Sequence, residues 1–140
     1  MRMKKRYLFY FALASVFATF YWYSPLWGKY LLLPNWDWLN YFFWLIPATG
    51  VALYEVHVSQ CVRQSAIVTA LFWFTTILIY YMCYLIAVFA GEDYFTFYDV
   101  VVFATAAIVP KIIQWGVVAI LGGILIGGSL SWCYLLAWRR

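Results

Sequence analysis

Charge is what this chain has least of: charged residues fill 10% of its 140 positions, while 68% are hydrophobic. So few polar side chains cannot clothe a water-soluble globule of this length, which excludes an ordinary soluble domain. Histidine is rarer still. The single His57 argues against haem held by two histidines of one chain and against a zinc centre built from several His and Cys ligands. Cys61, Cys83 and Cys133 are scattered, with no Cys-x-x-Cys pair, so neither a disulfide framework nor a metal site is expected. Cys83 and Cys133 fall in apolar runs, where a thiol behaves as a small apolar group. No Gly-rich phosphate loop, His-Glu-x-x-His motif or Ser/His/Asp constellation is visible. Nor does a basic stripe run along any soluble element, so nucleic acid is not an expected partner.

What remains is long apolar sequence broken by short polar stretches. A membrane-crossing helix needs roughly 20 predominantly apolar residues. The chain is therefore expected to be an all-α integral membrane protein, a single polytopic four-transmembrane-helix bundle with spans near 7–24, 38–56, 66–90 and 112–138. The first follows the basic run Met1-Arg2-Met3-Lys4-Lys5-Arg6 and stops at Ser24-Pro25. A cleaved leader ending near Ala18 is the less favoured alternative, because the apolar run continues through Phe20, Tyr21, Trp22 and Tyr23. Residues 25–38, rich in Trp and Tyr, suit a headgroup layer, and Asn35 or Asp37 can cap the second helix. Pro47 predicts a kink. Residues 112–138 would make a helix of about 40 Å, long enough to cross with tilt. Residues 97–109, ending at Pro110-Lys111, are expected to form a short interfacial or partly inserted helix before the last span. Thr96 and Asp99 have the spacing of a capping box at its start.

The charges orient this arrangement. With the N-terminus inside, Arg2, Lys4, Lys5, Arg6, Arg63, Arg139 and Arg140 face the cytoplasm, against Lys29 and Lys111 outside. That asymmetry obeys the positive-inside rule and favours cytoplasmic N- and C-termini, N-in/C-in, in a bacterial inner membrane.

Three groups of residues invite a role. Ala119, Gly123, Gly127 and Ser131 recur every four residues, broadened by Gly122 and Gly128, and form a small-residue stripe for close helix packing. Its partner would be a helix of the same chain, a second copy or another subunit. Glu55, His57 and Gln60, with Arg63 beyond, make a polar set at the end of the second span where a proton could be held or relayed. Pro110, Lys111 and Gln114 interrupt apolar sequence as broken helices of transporters do. The acids Glu92, Asp93 and Asp99 read as a solvated outer loop, without calcium-loop spacing. No cofactor is expected, although aromatics, at 24% of the chain, would suit a bound lipid, quinone or pigment. The expected function is a small non-catalytic membrane subunit, an accessory or assembly protein of a larger complex. A small oligomeric transporter or channel working near Pro110 is the alternative. A lipid- or quinone-directed enzyme ranks third, with Glu55/His57 or the outer acids as its acid–base candidates.

Overall fold

A computed structural model describes residues 3–22, 36–91 and 104–138. The connection 25–35, the acids Glu92, Asp93 and Asp99, and the terminal Arg2, Arg139 and Arg140 lie outside the described residues. Four long helices account for most of what is described: α1 (Met3–Trp22), α2 (Trp36–Ser59), α3 (Val62–Gly91) and α4 (Val109–Trp138). The all-helical expectation holds for these residues. Two stretches are long and apolar enough to cross a membrane, Val62–Ile86 with 25 residues and Ala104–Trp138 with 35.

The second stretch corrects the sequence reading at Pro110. Instead of a separate helix ending there, Ala104–Ile108 forms a π-helical turn that runs directly into α4. A proline lacks the N–H that would continue an α-helical ladder and its ring crowds the preceding turn. A locally widened turn accommodates both, so the helix changes register rather than breaking. Pro47 likewise sits inside α2 without ending it. Residues 97–103 of the expected interfacial helix lie outside the described residues.

Between α2 and α3 the chain reverses in two residues. Gln60 adopts the left-handed region at φ 53°. Its backbone N–H still bonds Val56 O at 2.9 Å, and its side-chain amide donates to His57 O at 2.8 Å, satisfying a terminal carbonyl. Ser59 Oγ accepts the Cys61 N–H at 3.3 Å, and Cys61 O takes the Ser65 N–H at 3.1 Å to start α3.

This hairpin makes α2 and α3 antiparallel, and α3 is the hub on which α1, α2 and α4 all pack. Along α4, Ser131 meets Ser65, Gly123 meets Ala70 and Gly116 meets Phe74, so α4 is antiparallel to α3. The start of α1 reaches Glu55, near the end of α2. The starts of α1 and α3 and the ends of α2 and α4 therefore gather at one end of the bundle.

Small residues fill the interior. Ala14, Ala18, Ala48, Ala52, Ala66, Ala70 and Ala119 are buried, whereas Leu8 and Leu125 are 70% and 68% exposed. Larger side chains cluster where Tyr10, Val51, Val68 and Phe72 close around Ala14, and Val56, Ile77 and Ile108 are buried elsewhere. Small interior and large exterior is the reverse of the usual sorting in water-soluble proteins.

Candidate functional site

Glu55 is the largest fully buried side chain among the described residues, at 1% exposure. A carboxylate in such a place is costly unless its oxygens are matched, and three helices supply the match. Arg6 Nη1 of α1 donates to Oε1 at 3.2 Å, and Gln64 Nε2 of α3 donates to the same oxygen at 2.7 Å. Tyr10 OH, one helical turn beyond Arg6, donates to Oε2 at 2.5 Å. Arg6 is itself buried, and its Nε has no partner. The cluster thus ties α1 and α3 to α2 through one carboxylate.

A second polar junction lies beside it. Ser65 Oγ donates to Ala52 O at 2.8 Å and accepts from Ser131 Oγ at 2.7 Å, so one hydroxyl joins α2, α3 and α4. Thr69 Oγ1 donates back to Ser65 O at 2.8 Å, and its Oγ1 and Cβ lie against α4 at Gly127.

The small-residue stripe of α4 faces α3 of the same chain. Gly116, Ala119, Gly123, Gly127 and Ser131 are all buried. A Cβ added at Gly123 would lie 2.5 Å from Ala70 Cα, and one at Gly127 would lie 3.0 Å from Ala66 Cα. The two backbones cross at a separation only glycine permits. Gly122 lies over the Trp73 ring, and Gly128 faces more open space, with its nearest neighbour at 3.9 Å.

The polar set expected at the end of α2 divides. Successive helical residues are about 100° apart, so Glu55 and His57 diverge by roughly 200°. Glu55 turns inward to α1, while His57 is exposed and turns to the end of α4. There Nδ1 is 2.7 Å from Tyr134 OH, and the ring stands edge-on to Trp138 at 5.8 Å. Tyr134 and Trp138 stack on each other. Gln60 caps α2 and Arg63 is exposed on α3. Glu55 and His57 therefore face different helices, and Gln60 bonds the backbone oxygen of His57. At the other end of the bundle, Pro110, Lys111 and Gln114 are exposed on the first turns of α4.

Sequence reasoning missed Arg6, Tyr10, Gln64, Ser65 and Thr69. The signal for the first two was present: an acid inside an apolar run requires a partner, and Arg6 and Tyr10 share one helix face at the same depth. Between α1 and α3 lies a cleft of about 180 Å³, walled by Tyr7, Tyr10, Phe11, Val68, Leu71, Phe72 and Thr75. Among the described residues no cluster of His, Cys, Asp and Glu could hold a metal. The chain matches no family model, no curated protein and no solved structure.

Proposed function

We propose that the chain is a four-span, N-in/C-in integral membrane protein serving as a non-catalytic subunit or assembly factor of a larger complex in a bacterial inner membrane. Support for the membrane setting comes from the inverted sorting of small and large apolar residues, which suits a surface bathed in lipid. Lys5, Arg6 and Arg63 lie at the end of the bundle where α4 finishes at Trp138, in keeping with cytoplasmic termini.

One observation carries the functional reading. The interior carboxylate and hydroxyls are engaged by one another: Glu55 by Arg6, Tyr10 and Gln64, and Ser65 by Ala52 and Ser131. Such a set fastens helices together rather than presenting a reactive group to a substrate. The outward face of α4, with Ile113, Val117, Leu121, Ile124 and Leu125, is left for lipid or for a neighbouring subunit. Because the small-residue stripe is occupied by α3, a second copy or partner would meet this outer face instead. Extraction from native membrane with its surrounding lipid, followed by mass and composition of the particle, tests the reading. A stoichiometric foreign subunit is expected; a particle containing this chain alone would refute it.

A second reading rests on Lys111 and Gln114, polar residues exposed beside a π-helical turn, a feature concentrated at functional sites. They suit a small oligomeric transporter whose path runs between protomers. Ion or solute flux in proteoliposomes that disappears in Gln114→Leu would favour it over the accessory role.

A further inference from the structure

We propose that an anionic phospholipid docks along α3, its phosphate on Arg63 and one acyl chain in the cleft between α1 and α3. The inference rests on the membrane reading above and adds a specific ligand to it. Arg63, Ile67, Leu71 and Thr75 follow one another at four-residue intervals and so form one stripe along the helix. Arg63 is exposed, as are Ile67 at 46% and Leu71 at 55%. The stripe thus begins with a cation beside the α2–α3 turn and continues as apolar surface for about 12 Å to Leu71. There it enters the cleft, whose walls include Leu71, Phe72 and Thr75 of α3 and Tyr7 and Phe11 of α1. Cation first and apolar trough second is the complement of a phospholipid, and the order places the headgroup at the basic end of the bundle.

Charge and size narrow the occupant. Glu55, the acid at this end of the described helices, is buried against Arg6, so among the described residues no carboxylate meets the Arg63 charge. A guanidinium fork matches the geometry of phosphate oxygens. A dry apolar cavity of about 150 Å³ holds one benzene-sized group. The 180 Å³ cleft therefore takes a segment of acyl chain and leaves the remainder in the bilayer.

The test uses the full chain, purified in mild detergent and equilibrated with equal amounts of phosphatidylglycerol and phosphatidylcholine. Lipid retained by the intact protein is read by native mass spectrometry. One retained lipid is expected, with phosphatidylglycerol favoured about fivefold, the effect of one basic residue at a membrane surface. Arg63→Gln, at an exposed position, should bring that preference close to unity while a lipid is still retained. Thr75→Phe should fill the trough and reduce retention of both lipids. An excess of inorganic phosphate should leave the lipid in place. No preference in the unsubstituted chain, a preference unchanged in Arg63→Gln, or displacement by phosphate alone would each overturn the docking. Washing native membranes with alkaline carbonate separates the two levels: a chain released by the wash overturns the membrane reading as well, whereas a retained chain without lipid preference overturns the docking only.

Discussion

Gly123→Ala is the sharpest probe of the α3–α4 contact, because the smallest possible side chain meets backbone there. Its Cβ would stand 2.5 Å from Ala70 Cα and 2.8 Å from Ala70 N, about 0.9 Å short of the 3.4 Å at which ordinary contact begins. No rotamer can relieve a clash with backbone, so the helices must separate. A gap approaching 1 Å forfeits a quarter to a half of each dispersion contact along the seam. It would also stretch the Ser131–Ser65 bond, now 2.7 Å, toward the limit of hydrogen bonding. Overpacking of this kind costs about 1–3 kcal/mol, and the backbone contact puts Gly123→Ala toward the upper part of that range. Gly128→Ala is the matched control on the same helix, its added methyl meeting nothing closer than 3.9 Å. Unfolding of both variants in one detergent, by thermal melt or by titration with a denaturing detergent, should show a large loss for Gly123→Ala and a small change for Gly128→Ala. Equal stabilities would refute the close crossing of α3 and α4.

Removing Glu55 leaves Arg6 charged and buried, so Glu55→Ala should cost about 3 kcal/mol, the low end for a broken buried pair because Arg6 lies near the start of α1. Arg6→Met combined with Glu55→Met should be more stable than either single substitution, whereas additive losses in the double-mutant cycle would dismiss the coupling. Ser131→Ala removes one interhelical bond while Ser65 keeps Ala52 O, so a loss of about 0.6 kcal/mol is expected from the same melts; a loss as large as that of Gly123→Ala would contradict this local role. Cys61, exposed in the α2–α3 turn, reports topology. In sealed vesicles a membrane-impermeant maleimide should label it only when the cytoplasmic face is accessible, and labelling from the opposite face would invert the proposed orientation.

Helix content was legible because it depends on length and composition, both visible along the chain. The stripe of Ala119, Gly123, Gly127 and Ser131 was legible for a similar reason: a four-residue interval fixes one face whatever lies opposite. What lay opposite was not. Ala66, Thr69 and Ala70, which receive the stripe, form no conspicuous motif, since alanine is small enough to belong on any face. Pro110 misled because proline's missing donor was read as the end of a helix. A π-helical turn over Ala104–Ile108 removes the need for that donor, and nothing in the residue types ATAAI announces it.

The Glu55 cluster shows most clearly where sequence pattern stops and depth begins. Local spacing grouped Glu55 with His57 and Gln60, its neighbours along the chain, yet helical geometry sends His57 to the far side. The charged partner of Glu55, Arg6, is 49 residues away. Arg6 was read solely as a flanking charge that orients the first helix. A flanking arginine one turn inside a helix and an acid one turn before the opposite end of the next helix occupy the same level of an antiparallel pair. Two opposite charges at one level, each costly alone, lower their joint cost by meeting. The same residue can thus direct orientation while the chain is extended and bind α1 to α2 once the pair has formed. Arg6→Lys separates these roles: it preserves the charge that directs orientation but loses the guanidinium geometry. Cys61 labelling should keep its sidedness while the melt falls, and a change of sidedness without loss of stability would mean that Arg6 acts on orientation alone.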